Sequence, residues 1–187
     1  LEKKTLLIDA NFQASAIATL LDLRKIADED RWRDISENFS VAEITQNNIS
    51  DFPTRAIEAA AYFDFIVVDL GSLQNISNDL LDRRWSSQVK IWVSHFAHSM
   101  FISSGSDLLQ SKRLKSLCDE LDEIKLAAQI SLFIVPTETS NKRERFQIVD
   151  FQPFIPREVL YLPLDSKLCA AARKEHTSLS EINARAP

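Results

Sequence analysis

Short apolar runs alternate along this chain with stretches whose apolar residues return every three or four positions, and two of the runs end on a carboxylate. The strongest is Phe63-Asp64-Phe65-Ile66-Val67-Val68-Asp69-Leu70-Gly71. Its large or β-branched residues are too few for a helix core and predict a strand buried on both faces. Thr5-Leu6-Leu7-Ile8-Asp9 repeats the design. A buried parallel strand that delivers an acid at its C-terminal end sets that acid where open α/β sheets bind ligands. The same carboxylate serves equally well as the cap of a following helix.

Between and beyond these runs the spacing changes. Phe12 to Leu23 has helical periodicity, with Asp9 or Asn11 as its cap. The mixed charges of Asp28 to Arg33 predict a solvated helix face anchored by Trp32 and Ile35. Val41 to Ile44 and Ile49 to Phe52 fit no element firmly. Pro53 suits a first helical position, and the helix is expected over Thr54 to Tyr62 with Ile57, Ala60 and Ala61 inward. After the central strand come a short helix over Leu73 to Leu81 and a strand over Val89 to Val93. The longest helical pattern, Ser106 to Ala128, carries the stripe Leu117, Leu121, Ile124, Ala128. Ile130 to Val135 reads as a strand stopped by Pro136, Thr137 to Arg145 as a polar loop, and Val159 to Leu162 as a last strand stopped by Pro163. A helix over Ser166 to Lys174, capped by Asp165 or Ser166, precedes a short polar tail from Thr177. Strands alternating with helices predict an α/β fold: a three-layer sandwich with a mostly parallel sheet covered on both faces.

Composition narrows the setting. The 187 residues suit a single domain with a sizeable core. Hydrophobic residues make up 45% and charged ones 26%, as in an ordinary globular protein. A net charge of −5 argues against broad attraction to nucleic acid or anionic lipid. Cys118 and Cys169 build neither a disulfide framework nor a CxxC metal site, which favours the reducing cytoplasm. No apolar run approaches the ~20 residues of a membrane span. Gly71 and Gly105 are the only glycines, so no glycine-rich phosphate loop lies within these residues. The chain opens on Leu1 with a strand almost at once, and is expected to be a piece lacking its N-terminal strand and phosphate loop.

The candidate chemistry centres on the two strand-end acids. If their strands are neighbours, Asp9 and Asp69 converge at one sheet edge, where they could hold a magnesium ion through water and orient a phosphate. Two unrelated helix caps fit the same spacing. His95 and His98, with Asp107 nearby, form an H-x-x-H pair expected in a loop, but zinc needs three or four committed ligands and no third is in reach. Ser94, Ser99, Ser103, Ser104 and Ser106 lack the G-x-S-x-G elbow of a serine hydrolase. The clusters Lys112, Arg113, Lys115 and Lys142, Arg143, Arg145 read as solvated faces, and Trp32, Trp85 and Trp92 as core or half-buried anchors.

The order of these pieces resembles a known family. Leu6-Leu7-Ile8-Asp9-Ala10-Asn11-Phe12-Gln13 is similar to the "LLIDADPQ" segment of the ParA/MinD group of deviant-Walker ATPases, and Phe63 to Gly71 to their "YDFIVVDLPPG" strand and switch. Val159-Leu160-Tyr161-Leu162-Pro163-Leu164-Asp165 resembles their "LP-x-D" segment. The closing Ser178-Leu179-Ser180-Glu181-Ile182-Asn183-Ala184-Arg185-Ala186-Pro187 is similar to the "PLSEVAPRSP" tail of the CpaE/TadZ branch, which serves Flp/Tad pilus assembly and polar localisation. The resemblance implies a Rossmann-like sheet of the P-loop NTPase type, a dimer, and ATP with Mg2+ as ligands.

Carried over position by position, it gives Asp69 the switch II acid near magnesium and the γ-phosphate, and makes Asp9 the preceding, more structural acid. Asn11 stands where the family has the acid that orients the attacking water. Gly71 lies in the turn where the family has its double proline. Pro163, Leu164 and Asp165 would lie beside the adenine, and Pro136 near the place of a base-reading Asn. An amide neither ionises nor takes a proton near neutral pH. The resemblance therefore implies a degenerate member with slow or absent hydrolysis. It would act as an assembly or localisation factor for pili or a similar secretion system, in the cytoplasm and recruited to a pole or the inner membrane. An active partitioning or positioning ATPase is the alternative, against which stand Asn11 and the negative charge. The tail lacks the basic amphipathic helix of a membrane-riding switch. A third possibility is a plain α/β interaction module with no nucleotide history.

Overall fold

A computed structural model describes residues 3–23, 26, 31–73, 76–124, 126, 128–135, 157–161 and 165–176. The chain divides into two compact units: Leu1–Ser72, Arg84–Val89 and Ser166–Pro187 form the first, Leu73–Arg83 and Lys90–Asp165 the second.

In the first unit β1 (Thr5–Asp9), β2 (Arg33–Ser36), β3 (Phe39–Glu43) and β4 (Phe65–Asp69) make one sheet in the order β2-β3-β1-β4. β1 pairs parallel with both β3 and β4, and β2 closes the outer side as an antiparallel hairpin partner of β3. Successive side chains alternate between the faces of a sheet. On one face Leu7, Val41 and Phe39 pack with Ile17 and Ile26, under the short helix α1 (Ile17–Leu20). On the other, Leu6, Ile8, Ala42 and Ile44 line a common apolar hollow with Phe52 and Ala59 of α2 (Phe52–Ala59). Pro53 stands in the first turn of α2, as its missing N–H favours.

Several expectations change here. β4 is an outer strand of this sheet among the described residues and is not buried on both faces: Phe65 is 56% and Val67 50% exposed, and the two share one face of the strand. α1 is four residues long, not twelve, since Asn11 to Ser15 wrap around Asp9 before the helix begins. Of the helix face expected over Asp28 to Arg33, residues 28–30 lie outside the described residues, and Arg33 opens a strand, Arg33–Ser36, drawn into the hairpin with β3. In α2 the inward residues are Phe52 and Ala59, while Ile57 is 69% exposed and Ala60 and Ala61 lie past the helix end. Val41 to Ile44 and Ile49 to Phe52, which fit no element by pattern, become the end of β3 and a 3-10 turn leading into α2.

The second unit holds a fully parallel sheet in the order β5-β6-β7, from β5 (Ser99–Gly105), β6 (Gln129–Val135) and β7 (Glu158–Tyr161). Met100, Ile102, Ile130, Leu132 and Ile134 turn one face towards Leu114, Leu117, Cys118 and Leu121 of α5 (Leu108–Ile124), with Ile76 of α3 (Ile76–Leu81) in the same core. Burial pushes the Cys118 thiol up to about 12, the mark of an inert core cysteine.

The segment read as a strand at Val89 to Val93 lies inside a helix, α4 (Trp85–Phe96). Its β-branched residues favour a strand locally, but Val89 and Val93 are buried one helical turn apart. β5, which the hydrophobic pattern does not predict, comes after it. The last helix, α6 (Ser166–Glu175), lies where the spacing predicts. The α/β class and its parallel pairing are as expected. No described helix is long and apolar enough to cross a membrane.

Candidate functional site at the ends of β1 and β4

Asp9 and Asp69 are register partners on adjacent parallel strands. Asp9 also faces Glu43 of β3, so three carboxylates stand in one row at the C-terminal edge of the first unit's sheet. The ladder continues one step beyond the strands, with Ala10 N–H donating to the Asp69 carbonyl and Ile44 N–H to the Asp9 carbonyl, both at 2.9 Å. Asn48 pins the end of β3: its Oδ1 accepts from Thr45 N–H at 2.8 Å and its Nδ2 donates to the Glu43 carbonyl at 2.9 Å.

The two central acids differ in their surroundings. Asp9 is 1% exposed. Its Oδ1 accepts from Asn11 N–H at 3.1 Å, and its Oδ2 accepts from Ser15 Oγ at 2.9 Å and from Ala16 and Ile17 N–H at 3.1 Å each. These are the bonds of an acid that closes a loop and caps a helix start. Ser15 Oγ also reaches Glu43 Oε1 at 3.1 Å, which ties the third acid to the same loop. Phe12 anchors the loop from the side, its ring edge-on to Trp85 at 4.4 Å.

Asp69 is half-buried and receives Gly71 N–H on Oδ1 at 2.8 Å. Its Oδ2 has no partner among the described residues. Gly71 has φ of +65°, the left-handed region that glycine tolerates. A Cβ built there would lie 2.4 Å from Asn11 Oδ1 and 2.5 Å from Asn11 Cγ, so the Asn11 amide rests directly on the Gly71 backbone. Four residues singled out in the sequence, Asp9, Asn11, Asp69 and Gly71, thus meet at one place. Asp165 is exposed at the start of α6. Pro136, Pro163 and Leu164, like the tail from Thr177 and the cluster Lys142, Arg143, Arg145, lie outside the described residues.

Ser15 and Glu43 were not singled out from the sequence. Glu43 was within reach: Phe39-Ser40-Val41-Ala42-Glu43 is a third short run tipped by an acid, hidden when the segment is cut at Val41. His95 lies inside α4, where Nδ1 donates to the Ile91 carbonyl at 3.0 Å, and His98 is exposed beyond the helix. Among the described residues no group of three or more His, Cys, Asp or Glu is placed to hold a metal ion. At the opposite end of the same strand pair, Asp64 accepts from Lys3 Nζ and from Lys4 N–H, each at 2.9 Å. The Lys3 bond, with that of Lys4, holds the Asp64 carboxyl below its ordinary range.

No protein-family model matches the chain, and no curated protein matches it significantly. Solved structures do. A ParA family ATPase from Chlorobium tepidum TLS superposes with a TM-score of 0.72 at 17% identity, over 100% of this chain and 81% of that one. The septum site-determining protein MinD of Pyrococcus horikoshii OT3, complexed with Mg-ADP, gives 0.67 at 11% identity, over 99% and 78%. A plasmid partition protein of Borrelia burgdorferi B31, bound to AMPPNP, gives 0.57 at 15% identity, over 98% and 86%. At these identities the likeness is one of fold: the chain has the α/β fold of ParA and MinD ATPases.

Proposed function

We infer that this protein is a degenerate ParA/MinD-like scaffold that binds nucleotide with magnesium and hydrolyses it weakly or not at all. The observation that carries the reading is the contrast within the row. Asp9 is consumed by its own loop, Asp69 keeps an oxygen without a partner among the described residues, and the side chain lying over the Asp69 turn is the amide of Asn11. The donor set fits a magnesium ion met through water by Asp69, with Asp9 holding the loop that carries Asn11. Bound there, the ion would offset the charge of the phosphates. Asn11 can orient groups by hydrogen bonds, but it cannot take a proton from water. The Mg-ADP and AMPPNP carried by two of the similar structures support the ligand class.

On this reading residues 1–187 act as one ATPase-like domain, since the fold likeness runs over the whole chain. Asp165, with Pro163, Leu164 and Pro136, is assigned to the nucleotide's base by resemblance. The protein works as a homodimeric assembly or localisation factor for Flp/Tad-type pili or a similar secretion system, in the cytoplasm and recruited to a pole or the inner membrane. The similarity of the closing segment to CpaE/TadZ proteins supports that branch. The second reading, an active partitioning switch, draws on the fold likeness to a plasmid partition protein. ATP binding and turnover by the full-length protein separate the two. The expected result is binding with turnover at or below that of an unassisted nucleotide switch, on the order of 10⁻⁴ to 10⁻³ s⁻¹. Turnover at ordinary ATPase rates that survives Asn11→Ala and is lost in Asp69→Ala would establish the active switch instead.

A further inference from the structure

The Ala14 N–H, and not the approach to Gly71, settles which end of the Asn11 amide is available to a ligand, because a Cβ built at Gly71 would meet Nδ2 at 2.9 Å as well as Oδ1 and Cγ. Ala14 N–H donates to Asn11 Oδ1 at 3.1 Å, and to the Asn11 carbonyl at 3.3 Å. Turned over, the amide would set its own NH2 against that N–H, donor to donor. Oδ1 is therefore the bound end, and Nδ2 has no partner among the described residues. Beside it, the Asp69 carboxylate is bound through Oδ1 and open at Oδ2. The two loops together offer one donor and one acceptor without partners among the described residues.

We propose that Asn11 is a fixed hydrogen-bond donor to a phosphoryl oxygen of a magnesium-bound nucleotide, and that Gly71 is the positioning residue that keeps its amide in place. The proposal rests on the nucleotide-binding reading above and deepens it. An amide NH2 has no acceptor capacity, so it suits an anionic oxygen and neither a cation nor a water proton. A magnesium-phosphate group presents the complementary pair, since its oxygens accept while the cation and its waters seek a carboxylate. Gly71 enters through space. A methyl group at its Cα would sit within 2.5 Å of Asn11 Cγ and Oδ1 and would push the amide away.

Calorimetric titration of the full-length protein with Mg·ADP tests this. Asn11→Ala and Asn11→Asp are each expected to weaken binding about tenfold or more, the size of one lost hydrogen bond to a charged group. The carboxylate is expected to be no better than the methyl, because it opposes the phosphate. Gly71→Ala is expected to weaken binding similarly in the wild type, and to add nothing in the Asn11→Ala background. The backbone strain of Gly71→Ala is common to both backgrounds, so it lowers stability without mimicking this coupling. Wild-type affinity in Asn11→Ala, alongside lost binding in Asp69→Ala, would overturn the proposal and leave nucleotide binding standing. Tighter binding by Asn11→Asp would overturn it too, by showing that position 11 meets a cation. A further tenfold loss from Gly71→Ala in the Asn11→Ala background would remove Gly71 from its positioning role. Absence of Mg·ADP binding by the wild type would overturn the underlying reading itself.

Discussion

Asp9 and Asp69 stand opposite each other at the ends of two parallel strands, yet among the described residues Asp9 has both oxygens engaged while Asp69 has one without a partner. The strands are alike; the segments after them differ. Beyond Asp9 the chain turns back within eight residues, so that Ser15, Ala16 and Ile17 all donate to one oxygen. Beyond Asp69 the Leu70-Gly71 turn supplies a single N–H. An acid at a strand end is thus no site by itself. The loop after the strand decides whether the acid holds the chain or meets a ligand.

Among substitutions at the two strand ends, the largest effect is expected at Asp9. Asp9→Ala strands the N–H groups of Asn11, Ala16 and Ile17 in a part-buried loop, and should cost about 3 kcal/mol or more of stability, read by urea unfolding. Gly71→Ala comes next, about 1–3 kcal/mol, for a side chain at φ of +65°. Asp69→Ala is expected to cost less than about 1 kcal/mol, since it removes one bond at an exposed turn. A loss at Asp69 equal to that at Asp9 would erase the distinction between them.

The smallest effect lies at the other end of the strand pair. The Asp64 carboxyl is depressed in the folded state by Lys3, so its contribution is complete above the ordinary value of 3.8 and fades as pH falls through the folded value. Asp64→Asn should therefore be slightly less stable than wild type at pH 6, with the gap closing in acid. Stability curves from pH 6 to pH 2 check this. A gap that widens in acid would reverse the assignment.

Much of this contrast lies beyond the reach of sequence pattern. The runs from Leu6 to Asp9 and from Phe65 to Asp69 were legible as strands because apolar residues in short blocks with terminal acids have few other uses. That they are neighbours in register depends on long-range pairing, which periodicity does not carry. The same limit explains β4: a run rich in Phe, Ile and Val reads as buried whether or not both its faces are covered. Val89 to Val93 failed for another reason, since β-branched residues in a helix imitate a strand when viewed five at a time. β5 went unseen because its serines, at positions 99, 103 and 104, blur the alternation of Met100 and Ile102. Within the site, Asn11 and Gly71 could be named separately, but their contact could not. It comes from the left-handed turn at Gly71 meeting a loop that begins 60 residues earlier.

Asp69, whose Oδ2 has no partner among the described residues, is the acid proposed to meet a ligand, and Asp9 is not. Calorimetric titration of Mg·ADP into the full-length wild type and Asp69→Ala, with both shown to be folded, addresses this most directly. Binding by the wild type and its loss or a fall of tenfold or more in the variant is the expected result. Equal affinity in the two proteins would contradict the assignment of Asp69.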